Sequence, residues 1–135
     1  MLELPNRGRK VMKILNWRKT EPPDFDNIPQ TGGIYIISTR QEADHEFEVK
    51  YIGQADNLLA RIKDHWSKNE KNKELKAHIA EKYMMKINYS VIESKSDRDG
   101  MLLYMYQVFN PPFNHEPPPG TTAINCTIPA VRKFT

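Results

Sequence analysis

Alternating apolar and polar positions mark three short strands in the middle of the chain. A β-branched and aromatic run occupies residues 34–37, and a second alternating segment covers residues 47–52. The connection between them is short and polar, which favours an antiparallel hairpin. A third alternating segment covers residues 86–92. Such alternation is typical of strands that turn one face towards a core.

Apolar residues at helical spacing predict three helices between and after these strands. Asp56 or Asn57 can cap the first helix, and Asn72 can cap the second. The third must end at Asn110, because two prolines follow it. The predicted order is therefore β-β-α-α-β-α. This order defines an α+β domain in which about three helices flank a small three-stranded antiparallel sheet.

Prolines interrupt any regular pattern on both sides of this domain. We interpret residues 1–30 as a basic N-terminal arm, residues 31–114 as the folded domain, and residues 115–135 as a Pro-rich C-terminal tail. Either end is a candidate surface for a protein partner.

Several classes of protein are excluded by composition. The lone cysteine, Cys126, cannot form an internal disulfide, and one thiol gives no zinc-site spacing. The chain has no apolar run long enough to span a membrane, and its first residues do not resemble a secretory signal. We therefore expect an intracellular, cytoplasmic protein without membrane contact.

The formal net charge is only +3, but the basic residues are clustered. Six basic residues and one acidic residue lie between positions 1 and 20, and a second basic set runs through the middle of the chain. Clusters of this kind attract phosphate backbones by releasing condensed counterions. The candidate phosphate contacts from these sets are Arg7, Arg9, Lys10, Lys63 and Lys68.

The two strands of the predicted hairpin carry related tripeptides, Gly33-Ile34-Tyr35 and Tyr51-Ile52-Gly53. Arg61 and His65 follow on the first helix, and residues 110–114 read NPPFN. Over about residues 31–114 this pattern resembles the GIY-YIG nuclease family. Both tripeptides at the correct spacing, with the arginine and the closing asparagine, are far more specific than either tripeptide alone.

Elementary geometry favours a joint role for these residues. Two tyrosines in a hairpin can lie near each other on one face of the sheet. Gly53 lets the chain turn sharply and lets a phosphate approach the backbone. Arg61 and His65 are four residues apart and share a helical face, which we expect to differ from the apolar stripe of Leu58 and Ile62.

The resemblance implies hydrolysis of phosphodiester bonds with one divalent metal ion, Mg²⁺ or Mn²⁺. Tyr51 would help to deprotonate the attacking water, and Arg61 would stabilise the charge of the transition state. Tyr35 would orient the water or bind phosphate. His65 would share proton transfer or hold a phosphate oxygen, and Asn114 would fix the site through its amide. Gly53, Gln54 and Asn114 join the basic residues as candidate contacts to DNA.

One expected residue is missing. The family's metal ligand is a glutamate on the last helix, twelve residues before the closing asparagine, and that position is Leu102. Asp99 lies one turn earlier and is a weak substitute, while Glu48 and Glu93 are less suitably placed. Gln54 stands where the family commonly has a lysine.

Three functions stay open at this point. The chain is a metal-dependent DNA endonuclease, or a catalytically impaired module that binds DNA or protein, or a scaffold for its two ends. The retained tyrosines, arginine and histidine favour the first two functions over the third. The family resemblance also associates the chain with a phage or mobile-element setting.

Overall fold

A computed structural model describes residues 12–22, 24–81, 83–120 and 122–129. These residues form an antiparallel α+β fold, as predicted, and from the second strand onwards the elements follow the predicted order. None of the described helices is long and apolar enough to cross a bilayer. The elements are β1 (Arg18–Thr20), β2 (Gly33–Arg40), β3 (Glu48–Ala55), α1 (Leu58–His65), α2 (Lys73–Ala80), β4 (Met84–Val91) and α3 (Lys95–Phe109).

The sheet has four strands in the order β1-β4-β2-β3, and every neighbouring pair is antiparallel. The predicted hairpin is β2 and β3, with a register shift after Ile37. The fourth strand, β1, corrects the predicted count of three. It has only three residues, too few to show a period, and it is a strand because it pairs with the outer edge of β4.

Side-chain alternation divides the core into two layers, one on each face of the sheet. Ile34, Ile36 and Ile52 pack against α3. Tyr35 and Ile37 point to the opposite face, where they pack with the buried residues of α1 and α2. The two tripeptides therefore supply core residues to both layers.

Several residues outside 31–114 pack against the α3 side of the sheet, namely Leu15, Trp17, Ile124, Cys126 and Ile128, whereas Ile28 packs on the α1 side. Lys13 forms a parallel bridge with Cys126, and the indole N–H of Trp17 donates to the carbonyl of Thr127 at 2.7 Å. Cys126 is buried, and that burial raises the pKa of its thiol to about 11. The boundaries of arm, domain and tail remain a prediction.

The closing motif holds the free edge of β3. Asn110 ends α3 in the left-handed conformation, with φ of 48°. Asn114 then accepts from the backbone N–H of Ile52 through Oδ1 and donates to its carbonyl through Nδ2, both at 2.9 Å. The backbone N–H of Phe113 donates to the carbonyl of Lys50 at 3.1 Å. The amide of Asn114 thus replaces a neighbouring strand at the edge of the sheet.

Replacing Asn114 with alanine should lower the free energy of unfolding by about 1–3 kcal/mol, because both polar groups of Ile52 lose their partners. Urea unfolding followed by circular dichroism measures the change. The matched control is Asn69→Ala, at an exposed position, which should change stability by less than about 0.5 kcal/mol. Equal stability of the two variants would show that Asn114 does not hold the edge.

Candidate active site

The two tyrosines meet on one face of the hairpin. Tyr35 lies opposite Gly53, and Tyr51 lies opposite Ile37, so both side chains point to the α1 side of the sheet. Their ring centroids are 6.3 Å apart. Proximity of the tyrosines, predicted from strand alternation, is confirmed.

Gly53 is glycine for a reason that differs from the predicted one. It is a buried position inside β3, which continues to Ala55, and it makes no sharp turn. A Cβ at this position would overlap the ring and hydroxyl of Tyr35. Tyr35 is 0% exposed and crosses the strand at this point. The glycine therefore makes room for Tyr35.

Helix α1 carries the other two predicted residues. Asn57 caps it by accepting from the backbone N–H of Ala60 at 3.0 Å. His65 is 1% exposed and lies with Leu58 and Ile62 on the buried side, because spacings of four and three residues return to one helical face. The expected separate side therefore holds Arg61, whose side chain is 39% exposed, without His65.

His65 links the sheet to a buried carboxylate. Its Nε2 lies 2.6 Å from the hydroxyl of Tyr35, and its Nδ1 contacts Oε2 of Glu70. The Glu70 side chain is only 3% exposed, and its Oε1 accepts from the backbone N–H of Asn72 at 2.9 Å. Glu70 is not among the predicted site residues, because it lies in the polar connection after α1 and nothing in its local pattern distinguishes it from other acidic residues.

Arg61 and Tyr51 lie on the more solvent-exposed side of the candidate site. The guanidinium lies 3.5 Å from Asp64 and 4.0 Å from Glu70. Tyr51 is partly buried, and its ring is 5.1 Å from the ring of His65. A cation beside a half-buried phenol stabilises negative charge at that position, whether on the phenol or on a ligand.

Burial sets the protonation states of the site. It raises the pKa of Tyr35 well above its ordinary value, with the neighbouring Tyr51 adding to the shift. Burial also raises the pKa of Tyr51, and Arg61 partly offsets that shift. Burial and then Arg61 lower the pKa of His65, against the opposing effect of Glu70. At neutral pH the site therefore holds two phenols and a neutral imidazole.

The expected metal-ligand position does not suit a cation. Leu102 is 6% exposed and packs in the α3 core with Met101 and Met105. The carboxylate of Asp99 accepts from Nε2 of Gln54 and from Nζ of Lys95, the latter at 3.2 Å. The described residues of α3 therefore offer no uncommitted carboxylate at the family's position.

One exposed group in the described chain has the donor spacing of a metal site, namely Glu42, Asp44 and His45. It lies in the β2–β3 connection, beyond Arg40, which ends β2 five residues after Tyr35. At about 3.3 Å per residue, the end of β2 is already roughly 16 Å from Tyr35 along the strand, too far for a shared phosphate. This group does not replace the missing ligand.

The predicted DNA contacts are placed in different surroundings. Lys63 and Lys68 are exposed on α1 and in the connection after it. Gln54 bonds to Asp99 and accepts from Nε of the buried Arg98 at 3.1 Å, so it belongs to an internal network. The side-chain amide of Asn114 bonds to the backbone of Ile52. Arg7, Arg9 and Lys10 lie outside the described residues.

Fold and site together define a small α+β domain with two tyrosines, an arginine and a histidine on one side of an antiparallel hairpin. The family model described as the GIY-YIG catalytic domain matches residues 31–111. The chain therefore belongs to the GIY-YIG family, whose catalytic domain indicates a nuclease acting on DNA. No curated protein and no solved structure matches the chain.

Introducing the family's acid as Leu102→Glu should destabilise the protein by about 2–5 kcal/mol at neutral pH, because the position is buried and apolar. Burial raises the pKa of such a carboxyl, so its neutral form fits better and the loss should shrink as pH falls.

Urea unfolding of this variant and wild type at pH 7.5 and pH 5.5 measures the difference. The matched control is Gln107→Glu, at an exposed position of the same helix, which should change stability by less than about 0.5 kcal/mol. A Leu102→Glu protein as stable as wild type would show that the position can hold a charged ligand.

Proposed function

We propose that the protein is a DNA endonuclease that hydrolyses phosphodiester bonds through Tyr51, Arg61, Tyr35 and His65. The observation that carries this proposal is the buried contact of 2.6 Å between Tyr35 and His65, directly beneath the half-buried Tyr51. A buried tyrosine–histidine pair beside a half-exposed arginine is an arrangement suited to moving a proton next to a bound phosphate.

Arg61 is the phosphate-binding residue in this proposal. Its guanidinium presents parallel N–H donors that match two phosphate oxygens, and its charge offsets the negative charge that develops in the transition state. Its ion pairs within the chain are long, at 3.5 and 4.0 Å, so a phosphate can compete for its donors. The exposed Lys63 and Lys68 extend the positive surface beside it.

Tyr51 is the residue that takes a proton from the attacking water. Its raised pKa means that little phenolate exists at neutral pH, so the phenol must lose its own proton as it gains one. Tyr35 and the neutral His65 provide an acceptor for that proton. The tyrosine therefore acts as a proton carrier.

GIY-YIG nucleases generally use divalent metals. We expect a requirement for Mg²⁺ or Mn²⁺, and the residues at the family's ligand position do not identify where such an ion would bind. No step above depends on it.

A second candidate function is supported by the burial of Leu102. A core leucine in place of the family's acid favours a nuclease-derived module that binds DNA without cutting it. Such a module would show salt-sensitive DNA binding and release no product.

Plasmid nicking in Mg²⁺ or Mn²⁺ tests the proposed activity. Arg61→Ala should reduce the rate by about 100-fold or more, because one preorganised charged donor set is lost from the transition state. Arg61→Lys keeps the charge and loses the forked donors, so its nicking rate should lie between the rates of the wild type and Arg61→Ala. The matched control Lys73→Ala, at an exposed position of α2, should leave the rate unchanged.

EDTA should abolish nicking by the wild type if a divalent ion is required. Salt-sensitive binding without any nicked product would contradict the endonuclease proposal and support the binding module. Nicking that persists in Arg61→Ala at the wild-type rate would mean a contaminating nuclease or a different site.

A further inference from the structure

The polar residues beneath Tyr51 form a chain of contacts that ends at a carboxylate. The ring centroids of Tyr51 and Tyr35 are 6.3 Å apart, and both side chains lie on the α1 side of the hairpin. The hydroxyl of Tyr35 contacts Nε2 of His65, and Nδ1 of His65 contacts Glu70. This chain of contacts leads from the half-buried phenol of Tyr51 to the buried Glu70.

Hydrogen-bond chemistry fixes which atom donates and which accepts at each contact of this chain. A carboxylate only accepts, so Nδ1 of His65 must carry the hydrogen that Glu70 receives. Neutral imidazole then has its lone pair on Nε2, and the Tyr35 hydroxyl donates to it. The oxygen of Tyr35 is left as an acceptor for the hydroxyl of Tyr51. Glu70 therefore selects the tautomer that makes His65 a proton acceptor.

Hydrogen bonds to other parts of the fold fix the orientation of Glu70. Its other oxygen accepts from the backbone N–H of Asn72, which caps α2. The amide of Asn72 donates in turn to the carbonyl of Phe113 at 2.8 Å, in the closing motif. The orientation of Glu70 is thus tied to two other parts of the fold.

We propose that Glu70 is a positioning residue that orients His65 as the final acceptor of the proton that Tyr51 takes from water. This inference rests on the proposed nuclease function. A water proton moves to Tyr51, the Tyr51 proton to Tyr35, and the Tyr35 proton to Nε2 of His65. The hydroxide bonds to phosphorus as the bond to the leaving oxygen breaks, and that oxygen takes its proton from solvent.

The relay accounts for the use of phenols whose burial disfavours their charged forms. Neither tyrosine accumulates as phenolate, because each gains a proton as it loses one. The positive charge ends on His65 beside the carboxylate of Glu70, where an ion pair stabilises it. The groups facing His65 are Tyr35 from β2, Tyr51 from β3, Arg61 and Asp64 from α1, and Glu70 from the following connection.

Glu70→Gln tests the inference, because the amide keeps the size and an acceptor oxygen but loses the charge. We expect the turnover rate for nicking to fall roughly 10- to 100-fold, less than the roughly 100- to 10,000-fold that general acid–base catalysis contributes as a whole, with unchanged DNA affinity. Removing the carboxylate also lowers the pKa of His65 further, so the acidic limb of the pH–rate profile should move to lower pH. A purely structural role would not move that limb.

Two further variants serve as a matched control and a conservative replacement. Glu74→Gln, an exposed acid in the first turn of α2, should leave the rate and the pH profile as in the wild type. Glu70→Asp keeps the charge and should recover part of the lost rate. Unchanged turnover and an unmoved acidic limb in Glu70→Gln would overturn the inference.

Nitrogen NMR of the histidine side chains separates this inference from the proposed function, since it needs no catalysis. In the wild type His65 should be the Nδ1–H tautomer with a pKa below that of free histidine, and Glu70→Gln should lower the pKa further. These results would support the positioning role even if the wild-type protein failed to nick DNA. An Nε2–H tautomer, or a pKa insensitive to Glu70→Gln, would refute it.

Discussion

The contact on which the site depends is the packing of Tyr35 across the backbone of Gly53. Tyr35 is fully buried there, and its hydroxyl reaches His65 on α1 at 2.6 Å. A side chain on residue 53 would occupy the space of that hydroxyl. This packing joins the hairpin to the helix and leaves Tyr51 and Arg61 on the more accessible side. A polar contact made inside the core has few alternative partners, so its geometry is well defined.

The rest of the fold supports this contact from the edge of the sheet. β3 is an edge strand, and an unpaired edge would leave the tyrosine of the second tripeptide poorly fixed. Asn114 and Phe113 satisfy that edge, and the carbonyl of Phe113 accepts from Asn72. Asn72 in turn bonds Glu70, which contacts His65. The closing motif and the connection between α1 and α2 therefore act as one support for the imidazole.

The position of the family's missing acid lies in a different environment from the tyrosines. Leu102 belongs to the layer between the sheet and α3, with Ile34 and Ile36, whereas Tyr35 belongs to the layer on the α1 side. Asp99, the nearest acid on the same helix, is bonded to Gln54 and Lys95. The chain thus keeps the two tyrosines, the arginine and the histidine to which we assign phosphate binding and proton transfer, while Leu102 of α3 packs in the core.

Local pattern alone determined the three central strands, the three helices, the cap at Asn72 and the family to which the chain belongs, and it limited the first cap to Asp56 or Asn57. These features follow from periodicity and short motifs, which are properties of neighbouring residues. Only the tertiary structure decided that Arg18–Thr20 form a strand, because that strand exists through pairing with β4. It also decided that Glu70 contacts His65, since the chain must first turn back after α1 to bring the carboxylate to the ring. Contacts made through space leave no periodic trace in a single sequence, so pattern could not supply them.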